Sequence, residues 1–177
     1  RAGYRGYTEG SIQEDTYFEQ NLAGAIDAGL DVGVYFFSQA MDEQEAREEA
    51  RFVLDKISGY QLAYPVFFDW EKIGADARSD AMDLTSLTTV TDTFCSEIEA
   101  AGYQAGLYFN QQLGYEELGS EVALSEEERL QGYTFWLAEY NDTPSFTYDF
   151  DLWQYASDGS VDGIDGDVDL NLAFIGK

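Results

Sequence analysis

The pentapeptide Phe67-Phe68-Asp69-Trp70-Glu71 sets two carboxylates and an indole at the end of an apolar run with the composition of a buried strand. Successive side chains on a strand point to opposite faces, so Asp69 and Glu71 share one face, with Cα atoms roughly 6.5 Å apart. Two acids facing one cleft can break a glycosidic bond. One is kept protonated to give its proton to the leaving oxygen, and the other stays ionised against the developing positive charge. Like charges crowded beside an indole separate two pKa values in that sense. On spacing alone an equally good reading has Asp69 closing a turn and Glu71 in water. A metal site built from Asp69, Glu71 and a later acid, Asp169, is a third and weaker reading. With no His in the chain, such a site would offer oxygen ligands only, which suits Mg²⁺ or Ca²⁺.

The absence of His also removes the usual neutral-pH base and every His-dependent nucleophile triad. The single Cys95 falls on the buried stripe of a helical pattern and reads as a core thiol. Asp165-Gly166-Asp167-Val168-Asp169-Leu170-Asn171 superficially suggests a calcium loop. It lacks the Gly and Glu spacing of an EF-hand, and Val168 and Leu170 alternate as in a strand, so no metal site is assigned. That strand would point Asp167, Asp169 and Asn171 to one face. Sugar rings stack their C–H faces on aromatic side chains. Tyr35, Phe37, Tyr108, Trp136, Tyr140 and Trp153 all lie near predicted strand ends, and Trp136 and Tyr140 stand first among them as ligand contacts.

The elements that must position these groups alternate between helix and strand. Phe18, Leu22, Ala25, Ile26 and Leu30 recur at helical spacing, with Asp15 as the N-cap and Gly29 as the stop. Asp31–Phe37 follows as a strand too apolar to alternate, as in a parallel sheet covered on both faces. Asp42 and Glu45 form a capping box for a helix whose buried stripe is Ala46, Ala50, Val53, Leu54 and Ile57. Tyr64–Trp70 is the next strand. After a polar loop from Lys72 to Met82, Asp83 caps a third helix that buries Leu87, Val90, Phe94, Cys95 and Ile98. Ala28-Gly29-Leu30 through Phe36 is echoed in pattern by Ala101-Gly102-Tyr103 through Phe109, each a helix end, a Gly turn and a strand. The last third holds strands at Thr134–Tyr140 and Asp151–Tyr155. Asp158-Gly159 and Asp162-Gly163 are turn pairs that make an antiparallel end to an otherwise parallel sheet.

At 177 residues the chain suits a single domain, 1–177, of α/β class. Hydrophobic residues make up 45% and aromatics 16%, enough to build a core despite the charge. Nine basic residues against 35 acidic give a net charge of −26, which excludes nucleic acid and anionic membrane surfaces as partners. There is no apolar run long enough to span a bilayer.

Taken together, the chain resembles the glycoside hydrolase family 25 lysozymes, the Chalaropsis-type muramidases. The motifs that carry the resemblance are Arg1-Ala2-Gly3-Tyr4, Asn21 with Ala28-Gly29-Leu30, Val32–Ser38, Pro65–Glu71, Ala101-Gly102-Tyr103, Phe135–Tyr140, Trp153-Gln154-Tyr155 and Val168–Asn171, in that order. The resemblance implies an irregular TIM-like β/α barrel that cleaves the β-1,4 bond between N-acetylmuramic acid and N-acetylglucosamine in peptidoglycan, without a cofactor. It implies Glu71 as general acid, and Asp69 as either an electrostatic stabiliser or the group that orients the substrate's 2-acetamido group. It further implies Asp169 as another acid of the cleft. Glu139 joins Tyr35, Phe37, Tyr108, Trp136, Tyr140 and Trp153 as a substrate contact. The implied partner is the peptidoglycan glycan strand, and the implied location is extracellular or cell-wall associated, in a bacterium or phage.

Family members open with a strand carrying an Asp-Val-Ser type motif and a helix, whereas this chain starts at the second strand. The expectation is therefore an N-terminally truncated barrel. A partner segment or self-association would cover its open edge, and turnover by this chain alone would be weak. The alternative function is a sugar-binding remnant that keeps the aromatic cleft without catalysis.

Overall fold

The structure is a computed structural model that describes residues 1–74, 77–116 and 130–174. The chain divides into two compact units, Arg1–Leu107 and Tyr108–Lys177.

The first unit carries strands β1 (Gly3–Arg5), β2 (Ile12–Glu14), β3 (Val34–Ser38), β4 (Val66–Trp70) and the start of β5 (Ala105–Asn110), in the order β2-β1-β3-β4-β5. β1 pairs antiparallel with β2, while β1 with β3 and β3 with β4 are parallel. The long connections between parallel strands are helices α1 (Phe18–Asp27), α2 (Glu43–Lys56) and α3 (Leu84–Ala100). The α/β class expected from the alternation is thus present.

The helix signals act as read, with one exception. Asp42 accepts from the Glu45 amide at 2.9 Å, and Glu45 reaches back to the Met41 amide at 2.8 Å. Asp83 caps α3 through the Ser86 amide at 2.7 Å. Gly29 and Gly102, the paired glycines of the echo, both take left-handed backbone with φ of 75° and 90°. The exception is α1, which begins at Phe18 rather than behind Asp15. Asp15 instead closes the turn before it, accepting the Tyr17 amide at 3.0 Å and pairing with Arg1 at 2.9 Å. Leu30, assigned to the buried stripe of α1, lies past the helix and is exposed.

Strand starts also differ from the reading. β3 begins at Val34 because Val32 is occupied elsewhere, its carbonyl accepting the amides of Ala63 and Tyr64. A Cβ on Gly33 would sit 2.8 Å from the Tyr64 side chain. β4 begins after Pro65, which has no N–H to give a ladder. β4 is buried along its whole length, as expected for a parallel strand covered on both faces, but β3 alternates. Val34, Phe36 and Ser38 are buried against the helices, and Tyr35 and Phe37 are only half-buried. Ring contacts tie this sheet face to the helices, Phe36 on Phe52 of α2 at 5.8 Å and Phe68 on Phe94 of α3 at 5.3 Å. Cys95 is fully buried, its thiol against the Gly106 carbonyl.

Behind the sheet lies an ionic cluster absent from the sequence reading. Arg5 is 4% exposed, and its Nε donates to Glu49 of α2 at 2.7 Å, with further bonds to the Gly10 and Glu45 carbonyls. Glu49 is wholly buried and also accepts from Ser38 Oγ at 2.6 Å. Burial pushes its carboxyl up to about 7, against the opposing pull of Ser38 and Arg5.

The second unit takes the end of β5, helix α4 (Gln111–Glu116), a 3₁₀ turn (Leu130–Gly132), and strands β6 (Thr134–Ala138), β7 (Leu152–Gly159) and β8 (Val168–Ala173). β6 and β7 are parallel, and β7 and β8 antiparallel, so the expected antiparallel C-terminal end is present. Of the two proposed turn pairs, Asp162-Gly163 forms a turn, with Gly163 at φ 92°. Asp158-Gly159 instead extends β7, Gly159 pairing with Val168 across a ladder made irregular by bulges. Phe109, Phe135 and Phe146 form the apolar layer of this unit, with ring centroids 5.5 to 5.7 Å apart.

Candidate active site

In the first unit, parallel register sets the reacting groups. Tyr4 pairs with Phe37 and Phe37 with Asp69, while Tyr35 pairs with Phe67. Partners in a parallel ladder share a face, so Tyr4, Tyr35, Phe37, Phe67 and Asp69 face away from the helices that cover Phe36 and Phe68. Glu71 follows directly after β4, and the two carboxyl groups are hydrogen-bonded to each other. The alternation inferred from the pentapeptide therefore does bring the two acids together.

Their environments differ. Asp69 is 6% exposed and Glu71 is half-buried. Burial first, and then the negative charge of Glu71, hold the Asp69 carboxyl well above the ordinary carboxylate range, with Arg1 pulling the other way. Burial also raises Glu71, partly offset by its hydrogen bond with Asp69. Two carboxyl groups in this contact cannot both ionise cheaply, so ionisation of either one opposes that of the other. Asp69 Oδ1 is buried with no hydrogen-bond donor among the described residues. A buried acceptor without a donor is costly.

Gln39, missed in the sequence, holds the backbone around the pair. Fully buried, it donates from Nε2 to the Ser38 carbonyl at 2.9 Å and to the Glu71 carbonyl at 3.4 Å. Its Oε1 accepts from Ser79 Oγ at 2.6 Å. Arg78 braces the same corner with two bonds to Glu45, at 2.7 and 2.9 Å. The loop leaving Glu71 is folded back by Asp80, whose carboxylate accepts the amides of Ile73 and Gly74. Residues 75–76 of the polar loop expected from Lys72 to Met82 lie outside the described residues.

In the second unit, Gln154 is the hub. It is buried, and its Oε1 accepts from both Tyr108 and Tyr140 hydroxyls at 2.9 Å. Tyr108 meets Trp136 edge-on at 4.9 Å, and the Trp136 indole N–H donates to Asn171 Oδ1 at 2.9 Å. Tyr108 and Tyr140 are thus joined by hydrogen bonds through Gln154, and Trp136 joins them by its ring contact with Tyr108; Trp136 is half-buried and Tyr140 56% exposed. Asp169 lies two residues before Asn171 on β8 and is exposed. Trp153 is 6% exposed and donates to the Glu139 carbonyl at 2.8 Å.

Glu139 is held by its own loop. Its carboxylate accepts from Asn141 Nδ2, Ser145 N, Ser145 Oγ and Phe146 N, at 2.6 to 3.1 Å. Burial works against the charge, but these donors hold the carboxyl below its ordinary value. Glu139 spends its oxygens on the loop after β6 and shapes that loop. Gln154 and Asn171 were visible only as members of motifs, because a polar residue between aromatics gives no sign of which ring it holds.

This arrangement can be set beside known proteins. The profile of Glycosyl hydrolases family 25 matches residues 4–164. An autolytic lysozyme of Clostridium acetobutylicum is 26% identical over 165 residues, covering 93% of this chain and 46% of that protein. The chain spans about half the length of the curated relatives it matches. Among solved structures, the modular autolysin LytC of Streptococcus pneumoniae, in complex with a synthetic peptidoglycan ligand, aligns with a TM-score of 0.79. It is 24% identical and covers 97% of this chain and 39% of that one. The bacterial lysozyme of Streptomyces coelicolor aligns with a TM-score of 0.73 at 22% identity, covering 96% of this chain and 76% of that one. The profile match takes in 161 of the 177 residues, from β1 past β7, and the chain belongs to glycosyl hydrolases family 25.

Proposed function

We propose that the protein is a peptidoglycan hydrolase of muramidase type, with Glu71 as general acid and Asp69 as its partner. The observation that carries this is the hydrogen-bonded Asp69–Glu71 pair with one buried acceptor, Asp69 Oδ1, left open. Two acids that flank a scissile bond are separated by about 5 Å or more. Acids in mutual hydrogen bond are closer than that, so Asp69 acts from the same side as Glu71. An acceptor beside the acid suits the N–H of a 2-acetamido group on the sugar.

The geometry gives a sequence of steps. A substrate N–H donating to Asp69 Oδ1 favours ionised Asp69, and the negative charge beside it favours the protonated form of Glu71. Glu71 then protonates the glycosidic oxygen as the C1–O bond breaks. The acetamido carbonyl oxygen bonds to C1, with the N–H held by Asp69. Glu71, now a carboxylate, takes a proton from water as that water attacks C1 and releases the acetamido oxygen. Tyr35 and Phe37 in the first unit, and Trp136 and Tyr140 in the second, supply stacking surfaces for sugar rings, the buried Tyr108 and Trp153 hold Gln154 and the Glu139 carbonyl, and Asp169 supplies an acceptor for hydroxyl groups. Action outside the cytoplasm, on the wall, follows from that substrate, and the similarity to an autolytic lysozyme and to an autolysin supports it. No cofactor takes part in these steps.

The product identifies the bond. Prolonged digestion of purified peptidoglycan followed by borohydride reduction should yield reduced N-acetylmuramic acid at the new ends. Reduced N-acetylglucosamine would contradict the bond assignment. Binding without any new ends would favour the sugar-binding remnant.

Asp69→Asn separates the chemistry from the fold. The Asp69 carboxyl is raised above its ordinary 3.8, so its contribution to stability is complete below that value and is lost as pH rises through the folded value. Asn keeps the shape and can donate to Glu71. The variant should therefore match the parent near pH 3.5 and exceed it by about 1–3 kcal/mol at pH 8, while losing most of its turnover. Urea unfolding at the two pH values measures this, and a variant less stable at pH 8 would refute it.

A further inference from the structure

The β3–β4 ladder ends at the pair Ser38 and Trp70, so the next residue on each strand is Gln39 or Glu71. The side chain of Gln39 carries the connection one step beyond the ladder. Its Nε2 donates to the Ser38 carbonyl at 2.9 Å and to the Glu71 carbonyl at 3.4 Å. The second bond is long, so it exists only while the amide faces the right way. Ser79 sets that direction, because its Oγ donates to Oε1 at 2.6 Å and leaves the NH₂ for the two carbonyls. Turned over, the amide would set its oxygen against two carbonyl oxygens. Gln39 and Ser79 are both wholly buried, so bulk water does not replace a lost partner.

Ser79 is itself fastened from both sides. Arg78 before it gives its amide to the Tyr7 carbonyl at 2.9 Å and its guanidinium to Glu45 at 2.7 and 2.9 Å. Asp80 after it accepts the amides of Ile73 and Gly74, just past the acid. Consecutive residues thus tie the segment that leaves β4 to the β1–β2 turn, to α2 and to Gln39. The geometry points to Ser79 as a positioning residue for the acid: through Gln39 it fixes the Glu71 backbone, and so the contact between the Glu71 and Asp69 carboxyl groups. This rests on the reading of Glu71 as general acid and adds a buried residue that acts on it at one remove.

The test reads the pair directly as well as through turnover. Neither Ser79 nor Gln39 ionises, and the charges acting on Asp69 are those of Glu71, Arg1 and the terminal amine. A change in the Asp69 titration therefore reports geometry. Carboxyl NMR of isotope-labelled aspartate, assigned with Asp69→Asn, follows it in the whole chain. Burial and then the Glu71 charge hold Asp69 up in the parent, and a looser Glu71 gives up its share. Asp69 should therefore titrate at lower pH in Ser79→Ala and in Gln39→Met than in the parent. Cys95→Ala, which removes a buried thiol from α3, controls for a general loss of stability and should leave the titration in place. Release of muramic acid ends per folded molecule should fall about tenfold in Ser79→Ala, with half-saturating substrate within about twofold of the parent. An Asp69 titration unchanged in both variants, or moved equally in Cys95→Ala, would overturn the proposal. End release at the parental rate in both variants removes the positioning role alone. A moved titration in a chain whose parent form releases no ends removes the muramidase reading alone.

Discussion

Glu71→Gln is expected to lower release of muramic acid ends from peptidoglycan by about 10²–10⁴-fold, the range for loss of a general acid, with the folded structure intact. Gln has the shape of Glu and can still hydrogen-bond to Asp69, but it carries no proton to give to the leaving oxygen. The same change removes the negative charge that, after burial, holds Asp69 up. Asp69 therefore ionises at lower pH in the variant, and part of the stability lost between acidic and neutral pH in the parent should be restored. A merely structural role for Glu71 would predict lower stability together with lower activity. Loss of activity with equal or greater stability at pH 8 is the signature of the acid role. A fall in end release of less than about threefold, well short of that range, would remove Glu71 from it.

Local signals were legible where a single residue and its near neighbours decide the outcome. Asp42 and Asp83 cap because a short acceptor precedes an apolar stripe, and Gly29 and Gly102 stop helices because only glycine takes that backbone easily. The Asp69–Glu71 pair was legible for the same reason, since strand alternation relates i to i+2 directly. Partners distant in sequence were not. Arg5 and Glu49 are 44 residues apart, and nothing near Arg5 distinguishes it from a solvated arginine. Glu49 did carry a sign, falling among Ala46, Ala50 and Val53 on the buried stripe of α2, where a charge must be paired. The β1–β2 hairpin was missed because β2 is three residues long and only Ile12 in it is apolar. Glu139 came with the family resemblance as a substrate contact, and the four donors of its own loop that its carboxylate accepts lie at sequence positions that give no sign of the pairing.

The Arg5–Glu49 pair makes the sheet's stability depend on pH, and Arg5→Met is expected to expose this. Removing the guanidinium leaves a carboxyl that is wholly buried, with only the Ser38 hydroxyl and the Gln39 backbone amide as donors and no cation beside it. Breaking a buried pair on one side costs up to about 3–5 kcal/mol, and the cost should be larger at pH 8 than at acidic pH. Arg5 is one of the groups that pull the Glu49 carboxyl down, so without it the carboxyl takes up its proton at higher pH than in the parent, and in acid the variant no longer buries an unpaired charge. At pH 5 the loss should therefore be smaller, reduced to the packing and carbonyl bonds of Arg5 itself. The sign for the parent follows from the same group. With its folded value near 7 and its ordinary value 4.5, Glu49 contributes fully below 4.5 and loses about 3 kcal/mol as pH rises through 7. Glu49→Gln, which keeps an acceptor for Ser38 and leaves Arg5 its Gly10, Glu45 and Glu48 partners, should flatten that part of the profile. Ser38 Oγ bonds Glu49, and its carbonyl receives Gln39, which in turn holds the Glu71 carbonyl, so slack at Arg5 reaches the acid. Urea unfolding of Arg5→Met at pH 5 and pH 8 measures the effect, and an equal loss at both would show that Glu49 is not what Arg5 neutralises.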